Sequence, residues 1–123
     1  MKLLLDTHAF LWWDSDDARL PAFLHSAVSS PNNEVFVSAA TAWEIAIKRA
    51  LGKMTFERAL GRAIDGHGFR ALPITVEQAE WAGALPQLHR DPFDRLLVAQ
   101  AQLEGLVLVT VDDQILRYQV PHL

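Results

Sequence analysis

Asp6, Glu44, Asp94 and Asp112 are the residues of this 123-residue chain whose types and placement point to chemistry. Asp6 ends the apolar run Leu3-Leu4-Leu5, and Asp112 stands two residues past Thr110, which ends the run Leu106–Thr110. Asp94 falls in the first turn of a helix opened by Asp91-Pro92, and Glu44 in the second turn of a helix opened by Ser38. Each acid has an ordinary explanation on its own. Asp6 and Asp112 could cap helices, Asp94 suits the positive end of a helix macrodipole, and Glu44 with Lys48 makes an i,i+4 surface pair. Their conjunction asks for more. Two carboxylates ~4 Å apart repel by roughly 4 kcal/mol at an effective dielectric of about 20. A fold that gathers four must protonate some of them or bind cations. A cluster of oxygen ligands suits Mg²⁺ or Mn²⁺. The chain has no cysteine, which excludes a thiolate zinc site and any disulfide framework.

The elements that must position these acids follow from periodicity and capping. Lys2–Asp6 reads as a short buried strand, His8–Trp13 as helix, and Pro21 as the first residue of a helix running to about Ser30. Pro31-Asn32-Asn33 is a turn, and Glu34–Val37 alternates as a strand. Ser38 caps a helix over Ala39–Leu51 that Gly52 closes. A helix over Thr55–Gly66 and a strand over Phe69–Leu72 follow. Thr75 and Gln78 have capping-box spacing for a helix over Val76–Ala84. Asp91-Pro92 opens Pro92–Glu104, ended by Gly105. Leu106–Thr110 is a strand, and a helical turn after Asp112 leads to a last strand near Val120. Strands alternating with helices predict a doubly wound α/β fold, a three-layer α/β/α arrangement around a mostly parallel sheet. In such folds ligands bind beyond the carboxyl ends of the strands, where all four acids are expected.

No repeat or linker interrupts residues 1–123, so one domain is expected, and half of the chain is apolar, enough for one core. Asp6 breaks the N-terminal apolar run after three leucines, too early for a signal peptide, and no apolar run approaches a membrane span. With the lack of cysteine, this fits a reducing cytoplasm. The net charge of −4 argues mildly against nucleic acid. Its distribution is uneven: residues 48–70 carry a net +4, from Lys48, Arg49, Lys53, Arg58, Arg62 and Arg70 against Glu57 and Asp65. That segment reads either as a solvated face or as a basic surface for a phosphate backbone.

Three segments, LLLDTH at 3–8, DPFDRLLVAQA at 91–101 and LVTVDD at 108–113, resemble the PIN-domain ribonucleases, in particular the VapC-type toxins of bacterial toxin–antitoxin pairs. AWEIAIK at 42–48 supplies the central glutamate, and the likeness spans nearly the whole chain. The resemblance implies a PIN-like fold and an endoribonuclease that uses Mg²⁺ or Mn²⁺. Asp6, Glu44, Asp94 and Asp112 match its metal-binding acids, and Thr110 its hydroxyl residue beside the fourth acid. It also implies an RNA substrate and a cognate antitoxin. Asp91 reads as the helix cap beside Asp94, and Asp113 as a turn residue. Metals so held would clamp a scissile phosphate, activate water and stabilise the departing 3′-oxygen, leaving a 5′-phosphate.

The remaining conspicuous residues have mostly structural readings. The five histidines show no ligand spacing; His8 and His89, near the acidic edge, read as solvated or capping, with phosphate contact or orientation of an acid as the alternative. Arg95 pairs with an acid, contacts RNA, or is structural. Trp43, Ile47 and Leu51 recur every four residues as a core stripe, with Trp81 packing likewise. Ala9–Trp13 is apolar beyond one helix face, which suggests contact with a second subunit or an antitoxin, and a symmetric homodimer would bury the run on both copies. A receiver-type signalling domain would need an acid pair at the first strand and a late lysine, yet Asp6 is alone and no lysine follows Lys53. A haloacid-dehalogenase-type phosphatase needs Asp-x-Asp where Asp6-Thr7-His8 stands. A PIN fold kept only for binding RNA or protein is a third alternative, which an activity assay separates.

Overall fold

The computed structural model describes residues 1–123. Four strands, β1 (Lys2–Leu5), β2 (Glu34–Ser38), β3 (Arg70–Leu72) and β4 (Val107–Val109), form one sheet in the order β3-β2-β1-β4. Every neighbouring pair is parallel. The chain steps outward from β1 through β2 to β3, then returns to place β4 on the far side of β1. This reversal opens a crevice at the carboxyl ends of β1 and β4, the switch point at which doubly wound sheets bind ligands.

Leu3, Leu4 and Leu5 of β1 are wholly buried, as a strand covered on both faces must be. Alternation sends them to opposite sides. Leu3 and Leu5 join one apolar cluster, with Phe10 of α1 (Thr7–Asp14), Leu24 of α2 (Ala22–Ser29), Ile45 of α3 (Ala39–Ala50) and Ile64 of α4 (Leu60–Gly66). Leu4 joins the other, with Ala82 of α5 (Val76–Ala84), Leu97 and Val98 of α6 (Pro92–Glu104), and Ile115 of a 3₁₀ turn at Ile115–Arg117. Each buried leucine contributes about 1.5–3 kcal/mol. The expected three-layer α/β/α architecture is the one observed.

Local signals fix several boundaries. Thr75 and Gln78 complete the capping box of α5, Asp91 accepts the Phe93 and Asp94 N–H groups at the start of α6, and Gly105 ends α6 at φ 66°. Three expectations need correction. Residues 55–59 are irregular, so the helix expected over Thr55–Gly66 begins only at Leu60. The last strand expected near Val120 is reduced to a single bridge between Leu108 and His122. The inward face of α3 is Ala40, Thr41, Glu44 and Ile45 rather than the stripe of Trp43, Ile47 and Leu51; Trp43 is 60% exposed and Leu51 63%. Trp81 is likewise exposed, its Nε1 donating to Gln102. No helix is long and apolar enough to cross a membrane.

Candidate active site

Asp6 leaves β1 and at once caps α1. Its Oδ1 accepts the Ala9 N–H at 2.8 Å, while its Oδ2 accepts the Thr110 hydroxyl at 2.6 Å. Thr110 lies just past β4, so this bond joins the ends of the two central parallel strands. The same Thr110 oxygen accepts the Asp112 N–H at 3.0 Å, which turns the chain and sets Asp112 beside Asp6. The cap reading of Asp6 is therefore correct, and the same carboxylate also stands beside Asp112 at the sheet's carboxyl edge. Burial pushes the Asp6 carboxyl above the ordinary carboxylate range, with Thr110 and Ala9 opposing and the Asp112 charge adding to the rise.

Asp94 is presented by the first turn of α6, its register set by Asp91 acting as the cap. His89, in the loop ahead of α6, places its Nε2 2.8 Å from Asp94 Oδ2. Burial first, and the neighbouring Asp91 charge second, raise Asp94 to about 7; the His89 contact opposes them, and Asp6 adds a further push upward. His89, Asp94 and Asp112 bring one ligand atom each to within 4.8 Å of one another. Octahedral ligands at about 2.1 Å from a small divalent ion stand roughly 3–4 Å apart, so this trio is close to a ligand set. Asp94 Oδ1 has no hydrogen-bond partner, and neither has Asp112 Oδ2, since Gln114 N–H takes Asp112 Oδ1. Each of these two carboxylates thus keeps one oxygen without a hydrogen bond, and the donor chemistry fits a hard divalent cation.

Glu44 reaches the same edge from α3 but is held differently. Thr7, next to Asp6, donates to Glu44 Oε1 at 2.7 Å, and Lys48 Nζ sits 2.7 Å from Oε2. The i,i+4 pair anticipated from the sequence is present, with the glutamate 7% exposed and the lysine 39%. The Glu44 contact holds the Lys48 ammonium above its usual range despite partial burial, and Asp91 and Asp94 add to the effect. Lys48 is thus shared electrostatically between Glu44 and the α6 acids.

Of two neighbours, one departs from its favoured reading and the other keeps it. His89 contacts a site acid, the less favoured of its readings; its loop position gives no periodic signal. Arg95 is structural. It is 8% exposed, and its guanidinium donates to the carbonyls of Ala82 at 2.8 Å and Leu85 at 3.1 Å, which closes the C-terminal end of α5. Its contact with the Tyr118 hydroxyl ties that end to the 3₁₀ turn.

Comparison with known proteins agrees with this construction. The PIN domain family model matches residues 3–121. The chain is 30% identical over 127 residues to Ribonuclease VapC22 of Mycobacterium tuberculosis (strain ATCC 25618 / H37Rv), covering 97% of this chain and 93% of that one. Among solved structures, VapBC2 from Rickettsia felis bound to a DNA fragment from their promoter superposes with a TM-score of 0.71 at 16% identity, over 100% of this chain and 98% of that one. VapBC-1 from nontypeable Haemophilus influenzae gives 0.65 at 18%, over 100% and 97%. FitAcB from Neisseria gonorrhoeae gives 0.62 at 19%, over 98% and 95%. Those structural likenesses establish the fold. With the family match running almost from end to end and the acids standing at the sheet's switch point, the chain belongs to the PIN-domain family.

Proposed function

We propose that this chain, one nuclease domain over residues 1–123, is a Mg²⁺- or Mn²⁺-dependent endoribonuclease and the toxin of a toxin–antitoxin pair. The observation that supports this most is the approach of His89, Asp94 and Asp112, one ligand atom each, to within 4.8 Å of one another, with the buried Asp6 as their neighbour. Asp94 and Asp112 would hold the cation directly, with Asp6 and Glu44 completing the acidic wall. When bound, the cation stabilises charge on the phosphoryl group in transit and eases deprotonation of water near neutral pH.

The chain's own residues set the geometry. Thr110 and the Ala9 N–H fix both Asp6 oxygens, so that carboxylate needs no reorganisation when charge develops. His89 fixes one oxygen of Asp94 and leaves the other without a hydrogen bond. Thr7 and Lys48 restrain Glu44, and Lys48 offsets part of the repulsion that the gathered acids exert on a polyanion. Attack in line on the phosphorus releases the 3′-oxygen and leaves a 5′-phosphate.

An antitoxin partner, a homodimer and a cytoplasmic setting belong to the same proposal: the antitoxin rests on the resemblance to VapC-type toxins and the VapBC structures, the dimer on the apolar run Ala9–Trp13, and the setting on the lack of cysteine. The dimer argument from Ala9–Trp13 is weaker in the structure than in the sequence. Ala9 and Phe10 are core residues, and Trp13 packs against His25 and Phe69, which leaves Leu11 and Trp12 as the half-buried remainder. The test is expression of the chain alone beside Asp6→Asn. Growth arrest with new 5′-phosphate RNA ends in the first and neither in the second is the expected result; equal behaviour of the two refutes the proposal.

A further inference from the structure

An acidic chain that cleaves RNA must still hold a polyanion against its own field. Most of its cations cannot help, because they are engaged internally. Arg19 pairs with Asp17, Lys48 with Glu44, Arg58 with Asp14 and Arg70 with Glu34. Arg49 and Arg95 donate to backbone carbonyls. Of the 11 Lys and Arg, this leaves Lys2, Lys53, Arg62, Arg90 and Arg117 without ion pairs. Arg90 and Arg117 meet in one open cavity of about 330 Å³, lined also by Gln87, His89 and Gln114.

That cavity abuts the acids through two of its own walls. His89 lines it and contacts Asp94. Gln114 lines it and donates its backbone N–H to Asp112. Two guanidinium groups and two amide side chains make a donor-rich lining, and a guanidinium fork matches the paired non-bridging oxygens of a phosphodiester. The volume is within the range of small-ligand clefts. We propose that this cavity is a phosphate subsite, in which Arg90 and Arg117 grip a backbone phosphate of the RNA strand adjacent to the one placed over Asp94 and Asp112. The inference rests on the nuclease reading and adds to it where the strand runs: out of the acidic cleft past His89, rather than over the basic segment 48–70.

The experiment uses a fluorescein-labelled single-stranded RNA and the full chain carrying Asp6→Asn, which silences cleavage and leaves the cavity untouched. Affinity is read by anisotropy in Mg²⁺ between 50 and 200 mM salt. Adding Arg90→Gln with Arg117→Gln should weaken binding roughly tenfold at 0.1 M salt. It should also flatten the dependence of log K on log salt by about 0.7 for each phosphate that is no longer neutralised. Both arginines are exposed and unpaired, so the fold is not at risk. Lysine at both positions should restore the slope but not all of the affinity. Arg62→Gln with Lys53→Gln removes the same charge elsewhere and should change little. If this control weakens binding as much as the cavity pair does, only net charge matters and the subsite is refuted. An unchanged slope in the cavity variant refutes it too, while cleavage by the wild-type chain would leave the nuclease reading intact. A wild-type chain that neither binds nor cuts RNA would instead overturn the nuclease reading itself.

Discussion

The Thr110 hydroxyl donates to Asp6 Oδ2 at 2.6 Å across 104 residues of sequence. The same oxygen accepts the Asp112 N–H, so one side chain locks two site acids to the ends of neighbouring parallel strands. Thr110→Val keeps the shape but leaves a buried carboxylate oxygen and a backbone N–H unpaired. It should cost about 1–3 kcal/mol of stability and lower RNA cleavage at least roughly tenfold, the usual cost of losing a group that orients a metal ligand. Thr110→Ser should retain most of both. Urea unfolding and cleavage rates check this, and a valine variant with wild-type rates would show that Asp6 needs no such anchor.

The raised Asp94 carboxyl, at about 7 through burial and the Asp91 charge, makes stability depend on pH in a specific sense. A carboxyl raised on folding favours the protonated folded state. Its contribution is complete below the ordinary carboxylate value and is lost as pH rises through about 7. Asp6 is raised too and acts in the same direction. In EDTA, the melting temperature of the wild type should therefore fall from pH 5 to pH 8, and Asp94→Asn should flatten that fall. A cation needs the carboxylate, so Mn²⁺ affinity should climb over the same window, by up to about tenfold per unit for each proton displaced. Calorimetric titration at pH 6 and pH 8 decides it; an affinity independent of pH would contradict the shared burial of these acids.

Asp91 and Asp94 are three residues apart and do different work. Asp91 accepts the Phe93 N–H at 2.8 Å and the Asp94 N–H at 3.1 Å, while the Asp94 carboxylate meets His89 and lies near Asp112. Asp94→Asn should abolish cleavage. Asp91→Asn should keep the cap at a cost of about 0.5 kcal/mol or less. By removing a charge that lifts Asp94, it should also move the acidic limb of the pH–rate profile to lower pH. An inactive Asp91→Asn would reverse the two assignments.

The core assignment on α1 and α3 has its own check. Phe10 is wholly buried, so Phe10→Ala should cost about 3–5 kcal/mol. Trp43 is 60% exposed and touches Phe93 edge-on at 5.4 Å, so Trp43→Ala should cost about 1 kcal/mol or less. Comparable losses in the two variants, measured by urea unfolding, would restore the tryptophan to the core.

What the sequence reveals and what it hides divide along physical lines. The starts of α5 and α6 are legible because a cap is made by residues two or three apart, and Thr75 with Gln78 and Asp91 with Pro92 carry it locally. β1 and β4 are legible because strands buried on both sides have no polar residue to spare. The α3 face misleads because its inward positions are held by Thr41 and Glu44, polar residues facing the candidate site. Apolar periodicity therefore points to the outward Trp43 and Leu51. The relation of His89 to Asp94 is set by a loop path, and that of Arg95 to its partners by carbonyls at the end of another helix; neither leaves a mark in the sequence. The four acids themselves are nameable from where strands end and helices begin. Their distances are not, and it is His89, Asp94 and Asp112 that come within 4.8 Å of one another.

The central claim is tested most directly by incubating purified, partner-free protein with single-stranded RNA in Mg²⁺, in Mn²⁺ and in EDTA, and analysing the ends produced. Cleavage in either cation, none in EDTA, none with Asp94→Asn, and products bearing 5′-phosphates are the expected results. Cleavage undiminished in EDTA, or products ending in 2′,3′-cyclic phosphate, would contradict a carboxylate-held cation as the source of the activity.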